Sequence, residues 1–223
     1  MPETMTRDDA LAELAALHDP KVRAVNERHG DDHSVNLTKL RGVAKRLGTT
    51  QTPLARELWA TGDGDARLLA LLILKSKDLT ADELDTMLRE ARTPKQQDWL
   101  VGYVVRKSPH VEALRVRWKG DSDPWVESAG WALTSDLVPK KADDLDLPGL
   151  LDEITVRMKD APERLQWAMN WCLGTIGIHH PVLRERVLAI GERLEVLKDY
   201  PTPPGCVSPY VPLWVSEMVS RQG

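Results

Sequence analysis

The sequence predicts an all-α fold, an irregular α-solenoid of stacked antiparallel helix pairs. Three observations lead there. Apolar residues recur at the helical period in nearly every segment. Prolines preceded by capping residues mark one helix start after another, at intervals of roughly fifteen residues. Alternating β-branched runs, the signature of strands, do not intervene. That rhythm suits short helix pairs in series better than a four-helix bundle. The sequence carries no strict repeat, so the array is irregular or its repeats are old.

In chain order, residues 7–18 and 20–28 form a first pair, and 37–47 comes after the turn-prone His29-Gly30-Asp31-Asp32. In 63–76, Ala66, Leu69, Ala70, Ile73 and Leu74 make one apolar stripe. Leu68, Leu71 and Leu72 cover the other side, so this helix is expected to be central. Leu84, Met87, Leu88 and Ala91 repeat the stripe behind a Thr80…Glu83 capping box. Thr52-Pro53, Thr93-Pro94, Ser108-Pro109, Asp123-Pro124 and Ser208-Pro209 each place a capping residue before a proline at the first helical position. Pro148, Pro162 and Pro181 open helices with weaker caps. The chain then carries three more stripes: Leu147, Leu150, Leu151, Ile154, Met158; then Leu165, Ala168, Met169, Cys172, Leu173, Ile176; then Leu183, Val187, Ile190, Leu194, Leu197. The stretch 198–210 holds four prolines and is expected to cross the surface without helix before a last helix near 209–220. Residues 1–200 are thus expected to be one helical repeat domain, with 201–223 a proline-rich tail and short terminal helix packed on it.

A chain of 223 residues is long enough to bury a substantial core. No run reaches the roughly eighteen apolar residues of a membrane helix, and the charged N-terminus does not read as a signal peptide. Cys172 and Cys206 cannot build a disulfide framework, so a cytoplasmic location is expected. The net charge of −4 argues against a bulk polyanion binder but conceals a split. Residues 89–119 carry eight Lys or Arg against three acids, whereas 120–163 carry four against eleven. The basic block either contacts phosphate backbone or is a set of solvated helix faces.

The chemistry-bearing candidates gather in 93–133, which holds four of the eight tryptophans. On a helix from 94 to 107, Asp98 shares a face with Val101, Gly102 and Val105, and Trp99 lies on the next face with Tyr103 and Arg106. A carboxylate among apolar groups needs a compensating partner. It is either salt-bridged to another repeat or held ready for a developing cation. On helix 124–137, Trp125, Ala129, Leu133 and Leu137 form the expected core side, with Trp131, Ser128 and Glu127 on the other. Trp118 is expected in the core. In 163–178 the core stripe is complete without Trp167 and Trp171, which lie four apart with Asn170 and Gly174. They line a groove where a base or sugar stacks, or they pack on a neighbouring repeat. The histidines lack ligand spacing, no nucleophile or phosphate-loop motif occurs, and Gly62-Asp63-Gly64-Asp65 is too short to specify calcium.

These residues resemble a family. ELWATGDGDARLLALLILKS (57–76), KQQDWLVGYVV (95–105), WKGDSDPWVESAGWAL (118–133) and QWAMNWCLGTIG (166–177) are similar, in order and spacing, to the DNA alkylation repair proteins built from HEAT-like repeats, the AlkD-type DNA glycosylases. The resemblance implies a HEAT-like superhelix whose concave, basic groove holds double-stranded DNA. It also implies excision of cationic N3- and N7-alkylated purines by N-glycosidic bond hydrolysis, without metal or cofactor. Such a base is already a good leaving group, so a carboxylate need only stabilise the charge that moves onto the sugar, with tryptophans adding cation–π contact. Carried over, the catalytic aspartate falls on Asp98 and a groove tryptophan on Trp171. Trp167, Trp99, Ser128 and Trp131 complete the expected lesion groove, and Arg67, Arg106 and Lys107 are the expected phosphate contacts. The family's active-site arginine falls on Ser128, which removes a charge, and Glu127 beside it is expected to repel phosphate. The expected function is therefore a monomeric, membrane-independent DNA repair-type protein, either a glycosylase for alkylated purines or a catalytically inactive scaffold for DNA structures or a protein partner.

Overall fold

The computed structural model describes residues 5–222. Thirteen α-helices account for most of them, and beyond one isolated bridge between His18 and Val35 the described residues form no β-structure. The chain divides into two compact units, Met1–Ala113 and Leu114–Gly223.

The first unit contains α1 (Arg7–Ala16), α2 (Pro20–Glu27), α3 (Leu37–Leu47), α4 (Thr52–Ala60), α5 (Gly64–Ile73), α6 (Ala81–Glu90) and α7 (Pro94–Trp99). The expected centrality of α5 holds: Ala66, Leu68, Leu69, Ala70, Leu71 and Ile73 are all buried, and α1, α3, α4 and α7 pack on it. Its N-terminal end also anchors the loop before α3. The buried Asp65 carboxylate accepts hydrogen bonds from the Ser34 and Val35 amides and the Ser34 hydroxyl, at 2.6–3.1 Å. Asp31 accepts from the Lys95 amide at 2.7 Å, and Gln96 donates to Asp32. The loop's turn needs a left-handed residue, which Gly30 supplies at φ +78°. Thr6 and Thr80 each build a capping box.

The division falls within α8 (Val111–Lys119). The second unit continues with α9 (Pro124–Leu137), α10 (Leu147–Arg157), α11 (Glu163–His179), α12 (Pro181–Leu194) and α13 (Val211–Ser220). Its core runs along α11, which packs on α9, α10, α12 and α13, and the three predicted apolar stripes all face inward. At Gly130 an added Cβ would collide with the backbone of Trp118 and Lys119, so α9 meets the end of α8 at backbone contact.

Proline punctuation holds with shifts of at most two residues. Thr93 and Asp123 cap α7 and α9 as expected. Thr52 instead lies inside α4, its hydroxyl donating to Asp78 and accepting from the Lys75 amide. Ser108 and Ser208 turn the chain by accepting from the amides of His110 and Tyr210, and their helices begin just beyond. A hydroxyl two residues before an amide closes a turn as readily as it caps a helix.

Candidate functional site

The helix carrying Asp98 is not a continuous α-helix. After α7 the residues Leu100–Val104 wind as a π turn, and Val105–Lys107 close as a 3-10 turn. The wide turn breaks the phase that would align Asp98 with Val101 and Val105. Gln96, Gln97, Trp99, Leu100, Val101, Val104 and Val105 face inward, and Asp98 is exposed. The expected carboxylate among apolar groups is thus corrected to a solvent-facing one. Trp99 is buried, with the Arg41 guanidinium 5.0 Å from its ring and Tyr103 edge-on at 5.2 Å, so it offers no open face. Arg106 and Lys107 are exposed on the 3-10 turn. Arg67 is not available as a rim cation. It sits over Trp59 and donates to the carbonyls of Trp59 and Glu90, tying α5 to α4 and the end of α6.

On α9 Ala129 and Leu133 are buried as expected, but the side expected to face outward is buried too. Trp131, expected at the surface, is fully buried, whereas Trp125 is partly exposed beneath the Arg164 guanidinium. Trp118 is buried as expected. Ser128 is buried as well, its hydroxyl donating to the Trp125 carbonyl at 2.6 Å. Trp131 and Ser128 therefore line no groove. The physical reason is that α9 is enclosed on most sides, between α11 and the end of α8, so its polar-looking side also has partners.

Glu127 is the partner that makes this possible. Its carboxylate, 5 % exposed, receives two bonds from Arg157 at 2.7 and 2.8 Å and one from the Trp131 indole N–H at 3.2 Å. Arg157 also pairs with Glu153, which holds Lys119, and the Lys119 ammonium stands 4.3 Å from the Trp131 ring centre. The two carboxylates hold the Arg157 guanidinium above its ordinary range, against the opposing cost of burial. The expected repulsion between Glu127 and phosphate is thus corrected: the charge is neutralised inside the unit. A cleft of about 500 Å³ opens beside this network, lined by Arg115, Lys119, Glu127, Glu153 and Arg157. Arg157 lies thirty residues from Glu127, and no local pattern in the sequence links them.

α11 places its two tryptophans off the core, as expected. Trp171 is 56 % exposed, and Trp167 is partly covered. Both meet the C-terminal segment. Trp167 takes Tyr200 edge-on at 4.9 Å, and Trp171 takes Trp214 at 4.6 Å. Between them the Asn170 amide donates to the Pro209 carbonyl at 2.9 Å. The Trp214 ring lies where a Cβ on Gly174 would stand. Of the two expectations for this face, a groove for a base or packing by the protein itself, the space over Gly174 shows the second: it is filled by the chain's own indole. Gly174 was the signal for a close approach, but its occupant was not evident from spacing.

The class defined by this architecture is an all-α helical repeat protein with an aromatic-bearing helix at the centre of its second unit. The family model described as "DNA alkylation repair enzyme" matches residues 10–198. The chain belongs to the DNA alkylation repair enzyme family. A solved structure described as "a new family of proteins related to the HEAT-like repeat DNA glycosylases with affinity for branched DNA structures" matches with a TM-score of 0.78, 22 % identity, and coverage of 98 % of this chain and 95 % of that one. The fold is thus of the HEAT-like repeat type. Comparison with curated proteins found no match. Among the described residues no helix is long and apolar enough to cross a membrane.

Proposed function

We propose that the protein binds double-stranded or branched DNA and recognises its structure without excising alkylated bases. The observation that carries this is the state of α9 where the family resemblance expects an arginine. Ser128 is turned inward onto a backbone carbonyl, and the adjacent Glu127 is locked to Arg157 and Trp131. Position 128 is buried, and this supports a reading in which it takes no part in excision. The affinity for branched DNA stated for the structural relative supports the same reading. Arg106 and Lys107, both exposed, are the proposed phosphate contacts in the first unit.

A second reading, excision of N3- or N7-alkylated purines, has one observation in its favour. Asp98 is a solvent-facing carboxylate on a π-bulged helix, a form of distortion often found at functional sites. One experiment separates the two. Wild type and Asp98→Asn are incubated with methylated duplex DNA, and released 7-methylguanine is measured beside binding to linear and four-way-junction DNA at several salt concentrations. Structure recognition predicts tight junction binding that weakens steeply with salt and no base release from either protein. Release by the wild type that disappears in Asp98→Asn would establish the second reading in its place.

A further inference from the structure

The C-terminal segment lies beyond the matched region 10–198, yet it completes one face of α11. Arg164, Trp167 and Trp171 succeed one another at i, i+3 and i+7, so they share a side of the helix. Arg164 lies over Trp125, Trp167 against Tyr200, and Trp171 against Trp214. The result is a row of aromatic rings with a guanidinium in it. Trp214 is fixed from behind by the bare backbone at Gly174, and in turn it fixes Trp171. Trp171 nevertheless leaves more than half its surface to solvent, and Tyr200 leaves 46 %. The buried side-chain oxygen of Asn170, the residue before Trp171, has no hydrogen-bond partner. Large indoles are ordinarily buried because they carry so much apolar area. One held rigidly in the open is preorganised for a flat partner.

We propose that this face is a stacking platform for unpaired nucleobases of a DNA strand, with Trp171 as the stacking ring and Trp214 as the ring that orients it. The proposal rests on the DNA-binding reading above and assigns a role to the C-terminal segment within it. Trp167 and Trp171 stand about 6 Å apart along the helix axis, with Arg164 one turn earlier. A row of π faces with a cation at one end suits bases joined by phosphates, and stacking of this kind tolerates any sequence. Such bases occur at bulges, gaps and branch points.

The test uses a duplex carrying one unpaired 2-aminopurine, whose fluorescence falls on stacking, with total affinity followed by anisotropy. Saturating wild type is expected to quench the probe several-fold. Trp171→Ala, at an exposed position, is expected to abolish the quench and weaken binding of the bulged duplex about tenfold, while a fully paired duplex changes less than twofold. Trp214→Phe keeps a ring on Gly174 and is expected to retain part of the quench, whereas Trp214→Leu loses it. Circular dichroism melting confirms that each variant is folded. Bulged DNA bound without quenching, or Trp171→Ala indistinguishable from wild type, overturns the platform and leaves the DNA-binding reading intact. A protein-docking surface would give that result. Failure to bind any duplex at low salt overturns both.

Discussion

Two neighbourhoods of the second unit contain tryptophans that sequence reasoning placed in one groove, and they are built in opposite ways. Around Trp131, a buried indole is joined to Glu127, Arg157, Glu153 and Lys119, and every charge is matched. Around Trp171, the indole is fixed by a second ring and left open. The first arrangement uses polar chemistry to lock helices together. The second uses apolar packing to hold a surface ready. Burial therefore says little about whether a tryptophan is functional until its fixing partners are known.

The contrast can be broken most severely at Gly130. In Gly130→Ala the methyl meets backbone of α8, which no rotamer change relieves. A loss of about 3 kcal/mol or more is expected in urea unfolding. Arg157→Ala leaves the buried Glu127 carboxylate without its main partner. Because Arg157 is itself 43 % exposed, the expected loss is about 2–3 kcal/mol, below that of a fully buried pair. Adding Glu127→Gln to that variant should recover part of it. Gly174→Ala forces the Trp214 ring away, and a loss of about 1–2 kcal/mol should accompany a changed tryptophan fluorescence spectrum. Trp171→Ala gives up the ring contact with Trp214 at an otherwise exposed position and should cost only about 0.5–1 kcal/mol, although it is the variant expected to affect DNA most.

The residue after Trp171 sharpens the same comparison by pH. Cys172 faces the core, and burial pushes its thiol up to about 12 from an ordinary value of 9.0. The folded chain keeps this thiol protonated where the unfolded chain ionises it. Its contribution to stability is therefore complete below pH 9 and declines as pH rises from 9 towards 12. In the native protein a thiol reagent should modify the exposed Cys206 and spare Cys172 until unfolding.

Helix positions and apolar stripes were readable because 3.6-residue periodicity and proline-marked starts are local properties. The stripes on α5, α10 and α11 face inward as their spacing indicates. The site was less readable, for reasons that differ by residue. On α9, enclosure on several sides makes two faces equally plausible as core, so Trp125 and Trp131 exchanged roles. At Asp98 the π turn altered the phase that every α-helical projection assumes. Arg157 reaches Glu127, Tyr200 reaches Trp167 and Trp214 reaches Trp171 at separations of 30 or more residues, and no spacing rule spans that distance.

The π turn at Leu100–Val104 also bears on insertions and deletions. It adds a residue to a helical run, so the residues before it are rotated by about 100° relative to those after it. Loss of one residue from this segment would leave an ordinary α-helix at little backbone cost. It would also turn Asp98 by more than a quarter circle against Arg106 and Lys107. A one-codon change here is a rotation of a solvent-facing carboxylate about the helix axis, and relatives with and without the extra residue would present different groups from the same helix.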